Sequence, residues 1–190
     1  TFVAVGYYGT ILSSSDGISW DNRTLGTSDF LYEVTFGNNT FVAVGQDGQI
    51  VTSSDNGTTW TSRSGATRYL FGVTFGNNTF VAVGRGGQIV TSTDNGTTWT
   101  SRDSSTSHEL AGVTYGNGIF VAVGISGTIR FSYDGITWYP AYYSYGDNLK
   151  GIAYGNGTYV TGGGLYTITS TDAIRWTRGV ESYTGSIFFK

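Results

Sequence analysis

The chain has 190 residues, with 30 glycines, 1 proline and neither cysteine nor methionine, and its 10 Lys and Arg against 13 Asp and Glu give a formal charge of -3. This balance, without any basic stripe, disfavours nucleic acid and anionic membrane surfaces as partners. The lack of cysteine excludes disulfides, thiolate metal sites and thiol nucleophiles, and no run of about 18 apolar residues is present that could cross a bilayer.

One short segment recurs along the chain at a nearly constant interval. TFVAVG begins at Thr1, Thr40 and Thr79, returns as IFVAVG from Ile119, and is seen in weaker form as TYVTGG from Thr158. Its aromatic residue keeps spacings of 39, 39, 40 and 39 residues, and a tryptophan further along each copy keeps spacings of 40, 39, 39 and 38. Two independent landmarks therefore count five repeats.

Each repeat contains four short strand-like runs separated by turn sequences. In the copy from 72 to 102 the runs are 73–75, 80–83, 89–92 and 98–101, and the turns between them are GNN, RGG and DNG. Apolar residues nowhere follow the helical period. Four strands in a repeat of about 40 residues are typical of a propeller blade. The sequence therefore predicts an all-β protein, a five-bladed β-propeller of four-stranded antiparallel blades.

The five blades are expected to form a single β-propeller domain over residues 1–190. The first repeat starts at its second strand, whereas the last five residues fit a first strand. We therefore expect the ring to close by pairing the C-terminal strand, 186–190, with the N-terminal blade, which leaves no long exposed edge. The predicted blades are approximately 1–24 plus 186–190, 31–63, 70–102, 110–140 and 149–178.

The third turn of every repeat reads S-x-D-(x)-G-x-x-W, and we call it the box turn. Asp can accept hydrogen bonds from turn amides, Gly can take a positive φ, and Trp anchors the hairpin, so we interpret the motif as structural. The last copy has Ala173 in place of glycine, which predicts a distorted turn. The box residues are Ser14, Asp16, Gly17, Trp20, Ser53, Asp55, Gly57, Trp60, Ser92, Asp94, Gly96, Trp99, Ser132, Asp134, Gly135, Trp138, Ser170, Asp172 and Trp176.

These five turns resemble the Asp-box, or BNR, repeat of sialidases and of many bacterial propellers that are not sialidases, and the resemblance covers essentially the whole chain. The resemblance implies a propeller fold, and for a sialidase it would also imply an arginine triad, a Tyr/Glu pair and an acid/base Asp. Here Arg63, Arg102 and Arg178 occupy equivalent repeat positions, as structural residues would, and only three Glu are present. We therefore predict no enzymatic activity and no catalytic residue.

Metal sites and cofactors are not expected either. His108 is the single histidine, which excludes a His-based metal cluster. Glu33 replaces the glycine found at the equivalent position of other repeats, and we expect it at the mouth of the central channel, with a possible functional role.

The repeats disagree mainly in the second turn and in the loops between blades. In an up-and-down four-stranded blade these segments emerge on one face, which we call the variable face. Aromatic platforms with few polar partners suit sugar rings, and the same composition suits a protein surface. The candidate ligand-binding residues on this face are Tyr7, Tyr8, Asp47, Arg68, Tyr69, Arg85, His108, Glu109, Tyr142, Tyr143 and Tyr145.

The longest and most aromatic loop between blades, YPAYYSYGDN at 139–148, is the first candidate for a wall of the site. Its alternative role is a tyrosine-rich lid that packs on itself over the channel. No polar or aromatic residue recurs on the variable face, which predicts one or two sites rather than five.

The leading functional hypothesis is a lectin-like recognition module for a glycan. The alternatives are a protein-interaction or adhesion scaffold that binds a cell-surface protein, and an excised or engineered propeller without any ligand. We expect a monomer that neither binds nucleic acid nor inserts into a membrane.

The location of the protein is predicted from its glycosylation sequons, at Asn22, Asn38, Asn56, Asn77, Asn95 and Asn156. Several overlap turns that the fold requires, where a glycan would be hard to accommodate, so a eukaryotic secretory origin is disfavoured. We expect an extracellular protein, or one on a cell or virion surface, of bacterial or phage origin.

Overall fold

The computed structural model describes residues 1–163 and 165–181. In this part of the chain the strands are β1 (Phe2–Val5), β2 (Ile11–Ser14), β3 (Asp21–Asn22), β4 (Leu31–Gly37), β5 (Thr40–Gly45), β6 (Ile50–Ser53), β7 (Thr61–Arg63), β8 (Leu70–Gly76), β9 (Thr79–Gly84), β10 (Ile89–Ser92), β11 (Thr100–Arg102), β12 (Leu110–Gly116), β13 (Ile119–Gly124), β14 (Ile129–Ser132), β15 (Tyr139–Pro140), β16 (Gly151–Gly155), β17 (Thr158–Gly162), β18 (Tyr166–Ser170) and β19 (Thr177–Glu181). Short turns occupy Tyr7–Gly9, Gln46–Gly48, Arg85–Gly87 and Ile125–Gly127, and the middle residue of each has a positive φ.

The strands form five antiparallel sheets, and each sheet follows chain order from its inner to its outer strand. Four sheets have four strands, namely β4–β7, β8–β11, β12–β15 and β16–β19, and the first sheet, β1–β3, has three strands in the described residues. This arrangement confirms the predicted all-β, five-bladed propeller. The predicted closing strand, 186–190, lies outside the described residues. In the described part of the chain, no helix has the length and apolar character that a membrane span needs.

Two-residue turns join the first and second strands of blades 2 to 5. In blade 2, Asn38 has φ +46° and Asn39 has φ +58°, and the flanking residues Gly37 and Thr40 pair directly across the turn. Two residues at positive φ make the type I′ turn, whose twist matches that of the flanking strands. Asparagine tolerates this region better than other residues that carry a side chain. The GNN and GNG sequences therefore encode tight hairpins.

The box turn holds itself together through its own side chains. In blade 3 the Asp94 carboxylate accepts a hydrogen bond from the Thr98 N–H at 2.9 Å, and the Ser92 hydroxyl accepts one from the Gly96 N–H at 2.9 Å. The Trp99 indole donates to the Gly96 carbonyl at 3.0 Å. Hydrogen bonds from the side chain and backbone of Thr98 lower the pKa of Asp94 to about 2. The carboxylate is therefore held in its ionised form by hydrogen bonds within the turn.

The box turn of blade 5 keeps this geometry although alanine replaces glycine. Ala173 adopts φ +64°, and the Asp172 carboxylate accepts hydrogen bonds from the N–H groups of Ile174 and Arg175 at 2.9 and 2.8 Å. The Trp176 indole donates to the Ala173 carbonyl at 3.0 Å. The predicted distortion is therefore wrong, because these hydrogen bonds hold the alanine in a left-handed conformation that costs about 1–2 kcal/mol.

Neighbouring blades pack through an aromatic ring that lies on a glycine, and we call this the ring-on-glycine contact. A Cβ atom at Gly37 would lie 2.1 Å from the Phe75 ring of the next blade, and the same distance separates a Cβ at Gly76 from the Tyr115 ring. Gly116 lies under Tyr154 in the same way. Only glycine leaves room for these rings, so this packing explains the glycine that ends the first strand in blades 2, 3 and 4.

Candidate binding surface

The second turns and the loops between blades lie side by side on the variable face. In blade 2 the turn has Asp47 at φ +52° and Gly48 at φ +78°, and the Gln46 N–H donates to the Phe30 carbonyl of the incoming loop at 2.8 Å. The Arg85 N–H makes the equivalent bond to its own incoming loop at 2.9 Å. Backbone hydrogen bonds therefore position both kinds of variable segment relative to each other.

A group of aromatic residues from blades 1 to 3 is the most extensive feature of this face. Phe30 packs against Tyr7 at 4.6 Å and edge-on against Tyr8 at 5.5 Å, measured between ring centroids. Tyr7 and Tyr8 are 66% and 67% exposed. We call the following residues the aromatic cluster: Tyr7, Tyr8, Phe30, Tyr32, Tyr69 and Phe71.

The second half of the aromatic cluster lies at the junction of blades 2 and 3. The Tyr32 ring is 5.6 Å from Phe71 and 6.4 Å from Tyr69. Burial raises the pKa of Tyr32, and the nearby hydroxyls of Tyr69 and Tyr7 and the Asp47 carboxylate raise it further. Phe30 and Tyr32 are two positions apart in the chain, so the two halves of the cluster are neighbours on this face.

Tyr32 and Phe71 reach this position because the strands that carry them are bulged. The pairing of β4 with β5 shifts register between Leu31 and Glu33, and the pairing of β8 with β9 shifts between Leu70 and Gly72. A bulge re-aims the extra side chain and is common next to binding sites. The bulges of β4 and β8 therefore direct Tyr32 and Phe71 to the channel mouth.

A cavity of about 190 Å³ adjoins the cluster at the mouth of the central channel. Glu33 lines it, as expected for a channel-mouth residue, and its carboxylate accepts a hydrogen bond from the Val73 N–H of the next blade at 2.9 Å. The first strands of four blades, β4, β8, β12 and β16, therefore contribute to the cavity, and its lining includes two aromatic residues, one acidic residue and one lysine. Its lining residues are Tyr32, Glu33, Phe71, Ala111, Gly112, Val113, Lys150, Gly151 and Ile152.

The charged residues predicted for the face occupy different junctions. The Arg85 guanidinium lies 5.9 Å from the centre of the Tyr69 ring, so it flanks the cluster and makes a cation–π contact. The backbone of Arg68 donates to the Gln88 side chain at 3.1 Å. The His108 Nδ1 atom lies 2.9 Å from the Thr128 hydroxyl, at the next junction, between blades 3 and 4.

Glu109 follows His108 at this junction. Its backbone carbonyl accepts a hydrogen bond from the Ile125 N–H at 3.1 Å. The variable face therefore does not gather all the predicted charged residues around one site, because they are distributed over successive blade junctions.

The tyrosine-rich loop 139–148 packs on itself and on blade 5. The Tyr143 hydroxyl donates to the Asp147 carboxylate, which also accepts from the Arg178 guanidinium at 2.8 Å. The same guanidinium lies 4.7 Å from the Tyr145 ring centre and 3.4 Å from that of Tyr166. The loop is therefore self-packed, as the alternative interpretation predicted, but it lies against the outer strand of blade 5 instead of over the channel.

Tyr142 is the most exposed tyrosine of this loop, at 72%. Its N–H donates to the Ile174 carbonyl at 2.7 Å, which places it beside the box turn of blade 5. The three loop tyrosines therefore do not form a wall of the aromatic cluster, which the structure builds on blades 1 to 3.

Sequence reasoning placed Phe30 in a variable loop between blades but did not select it, and it missed Tyr32 and Phe71 because residues at the start of a strand were treated as scaffold. A signal was present: the equivalent repeat positions hold Tyr32, Phe71, Ala111 and Lys150, which differ as much as the turns do.

In the described part of the chain, no group of three or more His, Cys, Asp or Glu residues could hold a metal ion.

Solved structures match the chain over nearly its whole length. YCF48 bound to D1 peptide is 19% identical with a TM-score of 0.67, covering 92% of this chain and 61% of that one. The designed protein Ika8 is 17% identical with a TM-score of 0.74, covering 99% and 62%, and the WD40 repeats of RRP9 are 11% identical with a TM-score of 0.73, covering 97% and 63%.

The chain has a β-propeller fold. At these identities the similarity shows the fold alone, and the chain spans less than two thirds of the length of these three propeller chains. No family model matches the chain, and no curated protein matches it.

Proposed function

We propose that this propeller is a non-catalytic recognition module that binds an extended protein segment at the aromatic cluster. The observation that carries the proposal is the presence of two aromatic groups on this face, Tyr7 and Tyr8 with Phe30, and Tyr32 and Tyr69 with Phe71, of which the second borders the channel-mouth cavity. Tyrosine provides a large, rigid contact area with a polar tip, at a low cost in conformational entropy. Such residues dominate binding energy at protein interfaces.

The packing of the rings supports a protein partner. Most cluster rings lie against one another in tilted or edge-on pairs, so the surface presents ring edges and hydroxyls together with faces. Asp47 and Arg85 place opposite charges at its margins. A partner with backbone amides and mixed side chains matches this pattern. The printed title of the YCF48 structure names a bound peptide, so the fold has accommodated a peptide ligand in that protein.

The absence of catalysis is part of the same proposal. The five box aspartates accept hydrogen bonds within their own turns, which lower their pKa values and hold them ionised as structural groups. Glu33 binds a backbone N–H of the next blade. A pair of carboxylates that hydrolyses a glycoside includes one carboxylic acid with a raised pKa. The box aspartates have lowered pKa values instead, so they do not fit that role.

Carbohydrate binding is the second candidate, favoured by the strong exposure of Tyr7 and Tyr8, which leaves ring surface open for a sugar. Membership of the Asp-box family and a location on a bacterial, phage or virion surface stay predictions from the sequence.

A peptide array and a glycan array, run in parallel, test the proposal. We expect peptide binding that weakens about tenfold or more in Tyr69→Ala, because a central aromatic anchor is lost. Tyr133→Ala is the matched control: Tyr133 is 53% exposed in a box turn on the opposite face. Peptide binding unaffected by Tyr69→Ala would contradict the assignment of the site. Glycan binding that depends on Tyr7 and Tyr8 would favour the second candidate.

A further inference from the structure

A groove of about 280 Å³ lies on the variable face beside the second turn of blade 3. Two arginines line it: Arg68 comes from the loop that enters the blade, and Arg102 ends the outer strand, β11. The turn at 86–88 and the loop that leaves the blade, at 103–106, contribute most of the remaining lining. We call this feature the arginine groove.

The turn of blade 3 provides the space that the Arg68 side chain occupies. Its middle residue is Gly86, with φ +68°, and a Cβ placed there would lie 2.2 Å from Nη1 of Arg68. The equivalent turns of blades 1, 2 and 4 have Tyr8, Asp47 and Ser126 at this position. A side chain at residue 86 would therefore displace the guanidinium, and glycine lets it lie against the turn.

The Arg102 side chain is fixed by the neighbouring strand, β10. It is half-buried, and its Nε donates to the Thr91 hydroxyl at 2.8 Å. In blade 2, Arg63 makes the same bond to the Thr52 hydroxyl at 2.9 Å, so this bond is a feature of the repeat. Among the described residues, the two terminal nitrogens of Arg102 have no hydrogen-bond partner. They can therefore donate to an acceptor in the groove.

The loop at 103–106 is held in place by an arginine of blade 4. Arg130 donates from Nε to the Ser104 carbonyl at 2.8 Å and from Nη2 to the Ser105 carbonyl at 3.2 Å. Asp103, the acidic residue of the groove, accepts a hydrogen bond from the Ser105 N–H at 2.7 Å. This part of the groove is therefore formed before any ligand binds.

The arginine groove is cationic, although the whole chain has a formal charge of -3. In the described residues the ion pairs lie elsewhere, at Arg23, Arg175 and Arg178. The arginines that line or flank the groove therefore have no carboxylate partner: they are Arg68, Arg85, Arg102 and Arg130. A guanidinium binds a carboxylate through two parallel hydrogen bonds, so this excess of arginine suits a carboxylate ligand.

The arginine groove adjoins the aromatic cluster. Arg68 of the groove directly precedes Tyr69 of the cluster. Arg85, whose guanidinium lies 5.9 Å from the centre of the Tyr69 ring, directly precedes Gly86 of the groove. A segment bound on Tyr69 can therefore extend a side chain into the groove.

We propose that the arginine groove binds the carboxylate of an aspartate or glutamate in the segment that the aromatic cluster binds. This inference rests on the proposed function, and it narrows the partner to an acidic segment. Arg68 and Arg102 donate to the carboxylate oxygens, while the cluster rings contact the neighbouring residues of the segment. Arg102 thus has a role in binding as well as in the repeat.

Single-residue exchange in the peptide selected on the array tests the charge. The peptides carry an amidated C-terminus, so that a side chain is the source of any bound carboxylate. We expect exchange of one Asp or Glu for its amide to weaken binding about tenfold, because a charge-assisted hydrogen bond is lost. In Arg68→Gln the same exchange should cost about threefold or less, since the carboxylate has already lost one partner. This variant keeps the bond to Gln88, which the Arg68 backbone makes.

A matched pair of variants separates binding from folding. Arg102→Gln and Arg63→Gln each lose the same Nε bond to a threonine, at 2.8 and 2.9 Å, so we expect similar melting temperatures. Arg102→Gln should weaken peptide binding about tenfold, whereas Arg63→Gln, which is not part of the groove, should change it less than twofold. A purely structural role of Arg102 would affect binding equally in both variants.

The possible results distinguish this inference from the function on which it rests. Peptide binding that needs Tyr69 but shows no preference for acidic residues would overturn the inference and leave the proposed function in place. Equal binding by Arg102→Gln and Arg63→Gln would do the same. A complete absence of peptide binding would overturn both.

Discussion

Two tyrosine-rich regions of the variable face use the same residue type in opposite ways. In loop 139–148 the Tyr143 hydroxyl is bound by Asp147, and the Tyr145 ring contacts Arg178 and Tyr143, so both side chains have partners within the chain. In the aromatic cluster, Tyr7 and Tyr8 lean on Phe30 but stay about two thirds exposed (66% and 67%). Both regions can therefore be recognised from their tyrosine content. Only the contacts that each tyrosine makes within the chain show whether a region is structural or open for binding.

The largest expected effect is on the loop. Asp147→Ala removes the acceptor of Tyr143 and the counter-ion of Arg178, whose Nε atom already has no hydrogen-bond partner among the described residues. Leaving a partly buried guanidinium unpaired costs about 2–3 kcal/mol of unfolding free energy. Chemical denaturation measures this loss. Tyr142→Ala is the control, with a change within about 0.5 kcal/mol, because Tyr142 is 72% exposed. Equal losses in the two variants would contradict the structural role of the loop.

The second effect is on binding at the cluster. Tyr69→Ala is expected to weaken ligand binding by about 1.4 kcal/mol or more, equivalent to tenfold, while Tyr145→Ala weakens it by less than about 0.5 kcal/mol. Isothermal titration with the ligand selected on the arrays measures both. A larger binding loss in Tyr145→Ala than in Tyr69→Ala would reverse the roles assigned to the two regions.

The third effect is the contribution of the loop to the loss of stability at high pH. Burial raises the pKa of Tyr143 above its ordinary value of 10.0, and the hydrogen bond to Asp147 raises it further. The stability contributed by the neutral hydroxyl is complete below pH 10 and is lost as the pH rises through the higher pKa of the folded state. Tyr143→Phe should therefore flatten the fall of stability above pH 10, as measured by urea unfolding at a series of pH values, whereas Tyr142→Phe should not. A wild-type curve that is already flat would exclude this contribution.

The smallest effect concerns the box turn that supports the loop through the Ile174 carbonyl. Ala173→Gly relieves the strain of a positive φ, which stabilises the folded state by about 1 kcal/mol. It also removes a buried methyl group, which costs about 0.8 kcal/mol, and it makes the unfolded chain more flexible, which lowers stability further. We expect the melting temperature to stay nearly unchanged. A loss of more than about 2 kcal/mol would mean that the methyl group packs more tightly than this balance assumes.

Much of the fold could be predicted because its signals are local. The Asn38–Asn39 hairpin and the Ser92–Asp94 box turn are built from residues within a few positions of each other, so their sequences encode their geometry. Ala173 is the exception, because its turn is retained by hydrogen bonds from neighbours that a glycine rule does not consider.

The candidate site could be predicted only in part. Tyr7 and Tyr69 were found because they lie in segments where the repeats disagree, whereas Tyr32 was missed because a bulge at the start of its strand directs it to the same surface. Arg178 was interpreted as a repeat residue, and its partner Asp147 is 31 positions away in the chain. That separation gives no local signal from which to predict the pairing.

The sequence by itself determined the number of blades, the strand order and the turns, because a repeated pattern of β-branched residues, Gly, Asn and Asp specifies them through short-range sterics and hydrogen bonds. Only the tertiary structure decided which tyrosines remain open to a ligand. Exposure depends on distant residues that pack against a side chain, such as Arg178 on Tyr145. These long-range contacts form only when the blades assemble.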